Sequence, residues 1–383
     1  MRRKDYEMAT PMYKKIANDL IERIEKGYLR PGDKLPTEAE FGETYGVSRI
    51  TVTHAIRELQ NKDLVFRVKG SGTFVSKRSV GGSGIGSKPS NRMSIISAVF
   101  PHGEQYGAHD LLIGIENECA KDGYWVTIHN SKNKPILERD IIENLLNQGC
   151  NGFIIFPCFL AHQNADLYSE LIIRDIPLVF IDRRTDFFSV PFVACDNEGA
   201  MRDLVAHLIL QGHERIGFLC NSIETVSSEH ERFTGYCEAH IAARRRVDPS
   251  LVFRRFKSFE KLEESFDVDD MNRLHDADAA IDYFLSLKEK PTCVVAVNDM
   301  LAISLMKAAL ANGVRIPDDL SITGFDDLYI SEHVEVPLTT VHQPFEKIGS
   351  AAARLLLDRI EGDQPEQGEV RIPAEIVFRK SAR

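Results

Sequence analysis

Polar side chains of complementary chemistry stand just beyond apolar runs in the second half of this 383-residue chain. Asp182 follows Val-Phe-Ile, Asn298-Asp299 follow Val-Val-Ala-Val, and Asp326-Asp327 follow Ile-Thr-Gly-Phe. Arg232 comes after the run that ends near Leu219, and Gln343 follows Leu338-Thr-Thr-Val-His342 just before Pro344. Such strand ends are where ligands bind in open α/β sheets. Carboxylates accept, a guanidinium donates and amides do either, which suits a sugar, because each hydroxyl both donates and accepts. Taken singly, an Asp in such a place also serves as a helix cap or turn former, and Asp299 and Asp327 are the leading candidates for that role.

A second set lies within the first 75 residues. Arg49, Thr51, Arg57, Arg67 and Lys69 supply donors for phosphate oxygens and base edges. A lone surface arginine carries little meaning, so the weight rests on the elements that would position these groups. Tyr13, Ile16, Leu20 and Ile24 recur at helical spacing and predict a core-facing helix from about Met12 to Lys26, stopped by Gly27. Thr37 with Glu40 three residues on is a capping-box signature for a second helix ending at Gly46, and Ser48 caps a third. On that third helix Val52, Ile56 and Leu59 form the inward stripe, with Arg49, Thr53 and Arg57 on one flank and Ile50 and His54 opposite. Ile50 reads either as a tolerated surface residue or as a contact for a thymine methyl in the major groove. Leu64–Val68 and Thr73–Ser76, joined by Lys69-Gly-Ser-Gly72, read as a hairpin, so the segment is a winged helix-turn-helix.

The net charge of -10 speaks against nucleic-acid binding only if taken over the whole chain. Residues 1–78 carry 16 Lys and Arg against 11 Asp and Glu, a balance of +5, and the remainder balances at -15. A basic head is thereby joined to a body that phosphates repel. The seven cysteines are scattered, with no C-x-x-C pair, and read as reduced and buried rather than as a zinc or redox site. No apolar run reaches membrane-spanning length and no secretory h-region opens the chain, which predicts a cytoplasmic protein without a membrane partner.

Residues 78–92 are rich in Gly and Ser and predict a flexible tether of roughly 20 Å r.m.s. span, too soft to transmit torque. No apolar strand feeds these glycines and no helix follows directly, so they do not form a phosphate loop. From 93 to 383, apolar runs alternate with helical patterns. Strands are expected at 94–100, 125–129, 152–156, 178–181, 192–195, 216–219, 293–297 and 322–325. Helices are expected at 108–121, 137–147, 197–211, 229–244, 277–287, 300–312 and 345–361. These exceed one small doubly wound unit and predict two α/β lobes of parallel sheet with a cleft between them. The expected organisation is therefore a winged helix-turn-helix at 1–77, a linker at 78–92 and a two-lobed core at 93–383.

Leu35-Pro-Thr-Glu38, Gly46-Val-Ser-Arg49, Thr51-Val52, Ala55-Ile56, Leu59 and Gly70-Ser-Gly-Thr-Phe74 resemble the GntR-type winged head over nearly all of residues 10–76. The resemblance implies a DNA-facing set of Glu38, Arg49, Thr51 and the wing residues Lys69, Gly70, Ser71 and Gly72, with Thr53 where that family commonly has a basic residue; Ser48, Ile50, Thr53 and Arg57 join the expected set from the reading of the third helix. His207 to Gly217, Arg232-Phe-Thr-Gly-Tyr236, Val297-Asn-Asp-Met-Leu-Ala302, Gly313 to Asp327 and Leu338-Thr-Thr-Val resemble the effector core of the LacI/GalR regulators, a periplasmic-binding-protein-like fold. A head and a core of these kinds together resemble the arabinose-repressor type of hybrid regulator. By motif position the resemblance implies effector contacts from Asp182, Arg232, Asn298, Asp326 and Gln343, with Tyr106 packing on a sugar face and Phe259 as a further stacking aromatic.

Catalysis finds no support in the motifs: no HExxH, Walker or G-x-S-x-G sequence occurs, and Asp326 and Asp327 are adjacent rather than facing. No cofactor is expected. The expected function is a homodimeric repressor that binds a palindromic duplex operator and responds to a small sugar by altering the spacing of its tether roots. Two alternatives stay open, a regulator using a purine or phosphorylated metabolite as co-repressor, and a sugar-binding transport receptor.

Overall fold

Thr37 starts the second helix of the N-terminal unit by a reciprocal pair of bonds: its Oγ1 accepts from the Glu40 amide at 3.4 Å, and the Glu40 carboxylate accepts from the Thr37 amide at 2.7 Å. The computed structural model describes residues 12–61, 64–68, 72–76, 94–101, 107–185, 187–254, 275–362 and 368–383, which fall into two units, Met1–Arg92 and Met93–Arg383. In the first, α1 (Met12–Glu25), α2 (Glu38–Tyr45) and α3 (Arg49–Asn61) precede a hairpin of β1 (Val65–Val68) and β2 (Gly72–Val75). Gly46 ends α2 at φ 64°, and Val52, Ile56 and Leu59 pack inward beside Ile16, Leu20 and Phe41. The strands pair antiparallel with Val65 opposite Val75 and Val68 opposite Gly72. Gly72 sits at φ 122°, a backbone that residues with a side chain rarely adopt, and Lys34 bridges to Phe74 of the same strand.

The second unit is built on two parallel sheets. β3 (Ile95–Phe100), β4 (Trp125–Asn130), β5 (Gly152–Ile155), β6 (Leu178–Ile181), β7 (Phe192–Cys195) and β13 (Glu369–Ile372) form a six-stranded sheet in the order β13-β7-β6-β5-β3-β4. β8 (Ile216–Cys220), β9 (Val252–Arg254), β10 (Cys293–Ala296) and β11 (Ser321–Thr323) form the second, ordered β11-β10-β8-β9. The intervening helices are α4 (Ala108–Lys121), α5 (Pro135–Asn147), α6 (Ala165–Ile173), α7 (Asn197–Leu210), α8 (Ser227–Ala242), α9 (His275–Ser286), α10 (Asp299–Ala311) and α11 (Phe345–Glu361). A short antiparallel pair of β12 (Thr340–His342) and β14 (Glu375–Val377) lies near the crossings. The chain passes between lobes after β7, after β12 and after β13, and the Asp196 amide donates to the Ile372 carbonyl at 2.9 Å to tie two of these crossings together.

Fully buried strands such as Phe192–Cys195 read correctly as continuous apolar runs, the signature of a sheet covered on both faces. β9, β12, β13 and β14, of three or four residues each, are too short to stand out as apolar runs and were not expected, and β11 starts one residue before and ends two residues before the expected strand. α6 is an element not expected from the sequence; the residue before it, Asn164, makes no side-chain cap bond, and its amide nitrogen donates to the Pro135 carbonyl and to Glu138. α8 begins two residues earlier than expected, so Arg232 lies in its second turn rather than opening it. Cys119, Cys158, Cys195, Cys220 and Cys293 are buried, whereas Cys150 and Cys237 are only half-buried; all seven are free.

Candidate functional site

Asp182, Arg232, Asn298, Asp326 and Gln343 line one cavity between the lobes, although the first and the last lie 161 positions apart. Asp182 stands at the end of β6 in the first lobe, while Asn298 and Asp326 stand beyond β10 and β11 in the second. Both carboxylates sit at positive φ, 60° for Asp182 and 133° for Asp326, backbone that residues with a side chain rarely adopt and that clusters at ligand sites. Gln343 lies at a lobe crossing, where its amide nitrogen donates to Asp326 Oδ1 at 2.7 Å.

Arg232 is almost wholly buried, donates from Nε to Asn197 Oδ1 at 2.9 Å and from Nη1 to the Val297 carbonyl, and stacks 3.9 Å over the Phe325 ring. Its Nη1 is 3.7 Å from Asp326 Oδ1. Burial pushes the Asp182 carboxyl above its ordinary value against the opposing pull of Arg183 and Arg232, and pushes Asp326 up much further, again against Arg232. Asn298 caps α10, its Oδ1 accepting from the Leu301 amide at 2.8 Å, which leaves its amide nitrogen for the cavity.

Asp299 corrects one expectation. It is not the cap; it is fully buried and accepts from the Leu328 amide at 2.9 Å, from Ser331 Oγ and from Thr340 Oγ1, anchoring the segment after β11. Asp327 holds that segment by pairing with Arg379 at 2.7 Å and His342 at 3.0 Å. Tyr106 and Phe259 lie outside the described residues.

Further cavity residues went unread in the sequence. Arg183 lies over the rings of Phe159, at 4.1 Å, and Phe156, at 4.8 Å, forming an aromatic and cationic wall on the first lobe. Phe156 follows β5 directly, so the strand-end rule applied to apolar residues would have found it. Glu229 accepts from the Asn221 and Ser222 amides at 2.8 and 2.9 Å and from the Asn221 side chain at 2.7 Å; burial raises its carboxyl too. Among the described residues, three acceptors on this wall have no hydrogen-bond partner: Asp326 Oδ2, Gln343 Oε1 and Asn221 Oδ1.

In the head, Ser48 Oγ accepts from the Thr51 amide at 3.3 Å and lies 2.9 Å from Thr51 Oγ1, so both residues shape the start of α3. Glu38 opens α2 with its carboxylate paired to Arg67 of β1 and its side chain only 13% exposed. Thr53 is half-buried on α3. Arg49, Ile50 and Arg57 lie on α3 by backbone, their side chains outside the described ones; Gly72 begins β2, and Lys69, Gly70 and Ser71 lie outside the described residues, as does the tether.

A basic winged helix-turn-helix joined to a two-lobed core that closes on a polar cavity defines a ligand-responsive transcription regulator. Residues 12–75 match the bacterial regulatory proteins of the gntR family, and residues 205–382 match the periplasmic binding protein-like domain. The chain is 30% identical to the arabinose metabolism transcriptional repressor of Geobacillus stearothermophilus over 98% of this chain and 99% of that one, and 28% identical to its counterpart in Halalkalibacterium halodurans over 93% and 91%. It belongs to the family of those repressors, in which a GntR-type head precedes a LacI-type core, and it is a DNA-binding transcriptional repressor. Two solved structures share the fold: the regulator CcpA of Lactococcus lactis (TM-score 0.66, 23% identity, 76% of this chain and all of that one) and the CelR–cellobiose complex (TM-score 0.63, 22% identity, 91% and 100%). No helix among the described residues is long and apolar enough to cross a membrane.

Proposed function

We propose that the cavity binds a small neutral sugar and that the occupied core releases a homodimer of this chain from a palindromic operator. The observation that carries the reading is the trio of partnerless acceptors on the cavity wall. Leaving a buried acceptor unpaired costs about 1–3 kcal/mol, so the site favours an occupant that donates several hydrogen bonds. Sugar hydroxyls donate; a phosphoryl group does not, and it would also meet Asp182, Glu229 and Asp326. The relatives named for arabinose metabolism and the fold neighbour solved with cellobiose support the same ligand class.

Pairing of two chains is supported by the edge strand β4, where Trp125 and Ile128 are 66% and 57% exposed, an apolar edge suited to a second copy of the same surface. The test is calorimetry of the full chain against both enantiomers of arabinose, ribose, xylose, glucose and cellobiose, followed by operator titration with the binder. Saturable heat from a sugar that also weakens operator binding is expected. Heat from a purine or sugar phosphate alone would replace the neutral sugar.

A further inference from the structure

The Arg232 guanidinium, a buried donor lining the cavity, is oriented by groups that do not line it. Its Nε is held by Asn197 Oδ1 at 2.9 Å, and the Asn197 amide nitrogen donates in turn to Glu231 Oε2 at 3.0 Å. Asn197 is fully buried and bonded at both ends of its amide, so its polarity is set: the oxygen must face the cation and the nitrogen the carboxylate. Glu231 belongs to α8 of the second lobe, yet both its oxygens are taken by Arg371 of β13 in the first lobe, in two bonds of 2.7 Å each. Such a parallel pair fixes orientation as well as distance. Arg371 also donates to Glu369 at 2.7 Å and to the Cys195 carbonyl at 3.3 Å, while Arg184 joins from the same lobe, 3.0 Å from Glu369 and 3.6 Å from Glu231. The path Arg232–Asn197–Glu231–Arg371 thus runs from the cavity across the lobe boundary into an edge strand.

We propose that Glu231 and Arg371 are positioning residues for Arg232, and that this relay couples ligand affinity to lobe closure. Arg232 keeps its free edge aimed at the cavity while β13 and α8 hold their present spacing; separating the lobes strips Glu231 of Arg371 and Arg184, so that its carboxylate no longer fixes the Asn197 amide, and lets the guanidinium swing away. The inference rests on the reading of the cavity as a sugar site. It goes further in assigning a function to a pair of side chains that the ligand never touches.

Two variants and a ligand-free measurement test it. In R371M, affinity for whichever of arabinose or cellobiose binds the wild-type chain falls at least tenfold, although every cavity-lining residue is intact. The exchanged pair E231R/R371E restores attraction between the lobes but presents a cation to Asn197, whose amide then turns its nitrogen toward Arg232. Its thermal midpoint recovers relative to R371M while the affinity stays at least tenfold down. Unchanged affinity in R371M, or affinity that recovers together with the midpoint in the exchanged pair, overturns the relay. If no sugar binds the wild-type chain, the cavity reading fails and the relay is judged without ligand, as it is if the exchanged pair does not fold. The Arg232 Nε–H resonance, assigned by its loss in R232K, exchanges with solvent at least tenfold faster in R371M than in wild type, and equal exchange overturns the relay.

Discussion

Gln343 donates its amide to Asp326 Oδ1 at 2.7 Å, and this bond leaves one acceptor on each residue, Asp326 Oδ2 and Gln343 Oε1, without a partner on the cavity wall. Asp326 therefore carries a carboxylate oxygen with an unmet acceptor in a residue that lines the cavity. D326N keeps the shape and removes the charge; with a charge-assisted bond contributing about 1.5–3 kcal/mol, sugar affinity is expected to fall on the order of 10- to 100-fold. Operator binding without sugar is expected to persist, giving a repressor that no longer responds. Calorimetry and operator titration of the variant, with and without sugar, check both halves.

The raised carboxyls give the cavity a pH signature. Asp182, Asp326 and Glu229 are all pushed above the usual carboxylate range by burial. In the window between their unfolded and folded pKa values the native chain holds more protons than the unfolded one, so their contribution to stability is present below that window and is lost as pH rises through it. Sugar hydroxyls donating to Asp326 favour its ionised form, so binding releases protons and tightens as pH rises. Calorimetry in two buffers of different ionisation enthalpy should show this release, and affinity should weaken as pH falls toward the ordinary carboxylate range. Proton uptake on binding would contradict the assignment of Asp326 as acceptor.

Residues at strand ends were legible because the strand ends themselves were. Asp182, Asn298 and Asp326 each follow a run of buried apolar residues, and the parallel topology brings those ends to one cleft whatever the loop lengths. Glu229 was not legible, since its function depends on how the loop at Asn221 and Ser222 folds back onto α8. Nor was the division of labour between Asn298 and Asp299: either type caps helices, and only the extended backbone of Asn298, at φ -150°, gives it the cap and leaves Asp299 to anchor Leu328 and Thr340. The ion pair of Glu231 with Arg371 joins residues 140 positions apart through an edge strand too short and too polar to announce itself.

Helix packing in the first lobe depends on two glycines. A Cβ on Gly114 would lie 2.0 Å from the Glu346 carbonyl, and one on Gly349 would lie 2.1 Å from the Leu111 carbonyl, so α4 and α11 approach with backbone against backbone. The obstacle is main chain, which cannot rotate aside. G349A is expected to destabilise the core by about 1–3 kcal/mol by forcing the helices apart, read as a lowered midpoint in chemical denaturation. A midpoint equal to that of wild type would show that the helices adjust freely.

The apolar edge at Trp125 offers a test of pairing. W125E places a charge on β4 where the side chain is 66% exposed in a single chain, so the fold should tolerate it while any interface built on that edge should not. Sedimentation is expected to show a shift toward monomer and operator titration a weaker complex, because two half-sites are then no longer engaged together. A variant that sediments as wild type would move the interface elsewhere.

The head should reveal its phosphate contacts through salt. Arg49 is the first residue of α3, directly after Ser48, whose Oγ holds the Thr51 amide, and so stands at the end that a recognition helix turns toward the duplex. If Arg49 neutralises one phosphate, its removal releases one counterion fewer on binding. R49A should then weaken operator binding and reduce the slope of log affinity against log salt by about 0.9. A loss of affinity with an unchanged slope would instead make Arg49 a reader of base edges, and its effect would then depend on the sequence of the operator. Measuring affinity between 50 and 200 mM salt (roughly the range over which phosphate contacts dominate), on the operator and on unrelated duplex, separates the two: a phosphate contact weakens both alike, whereas a base contact weakens only the operator.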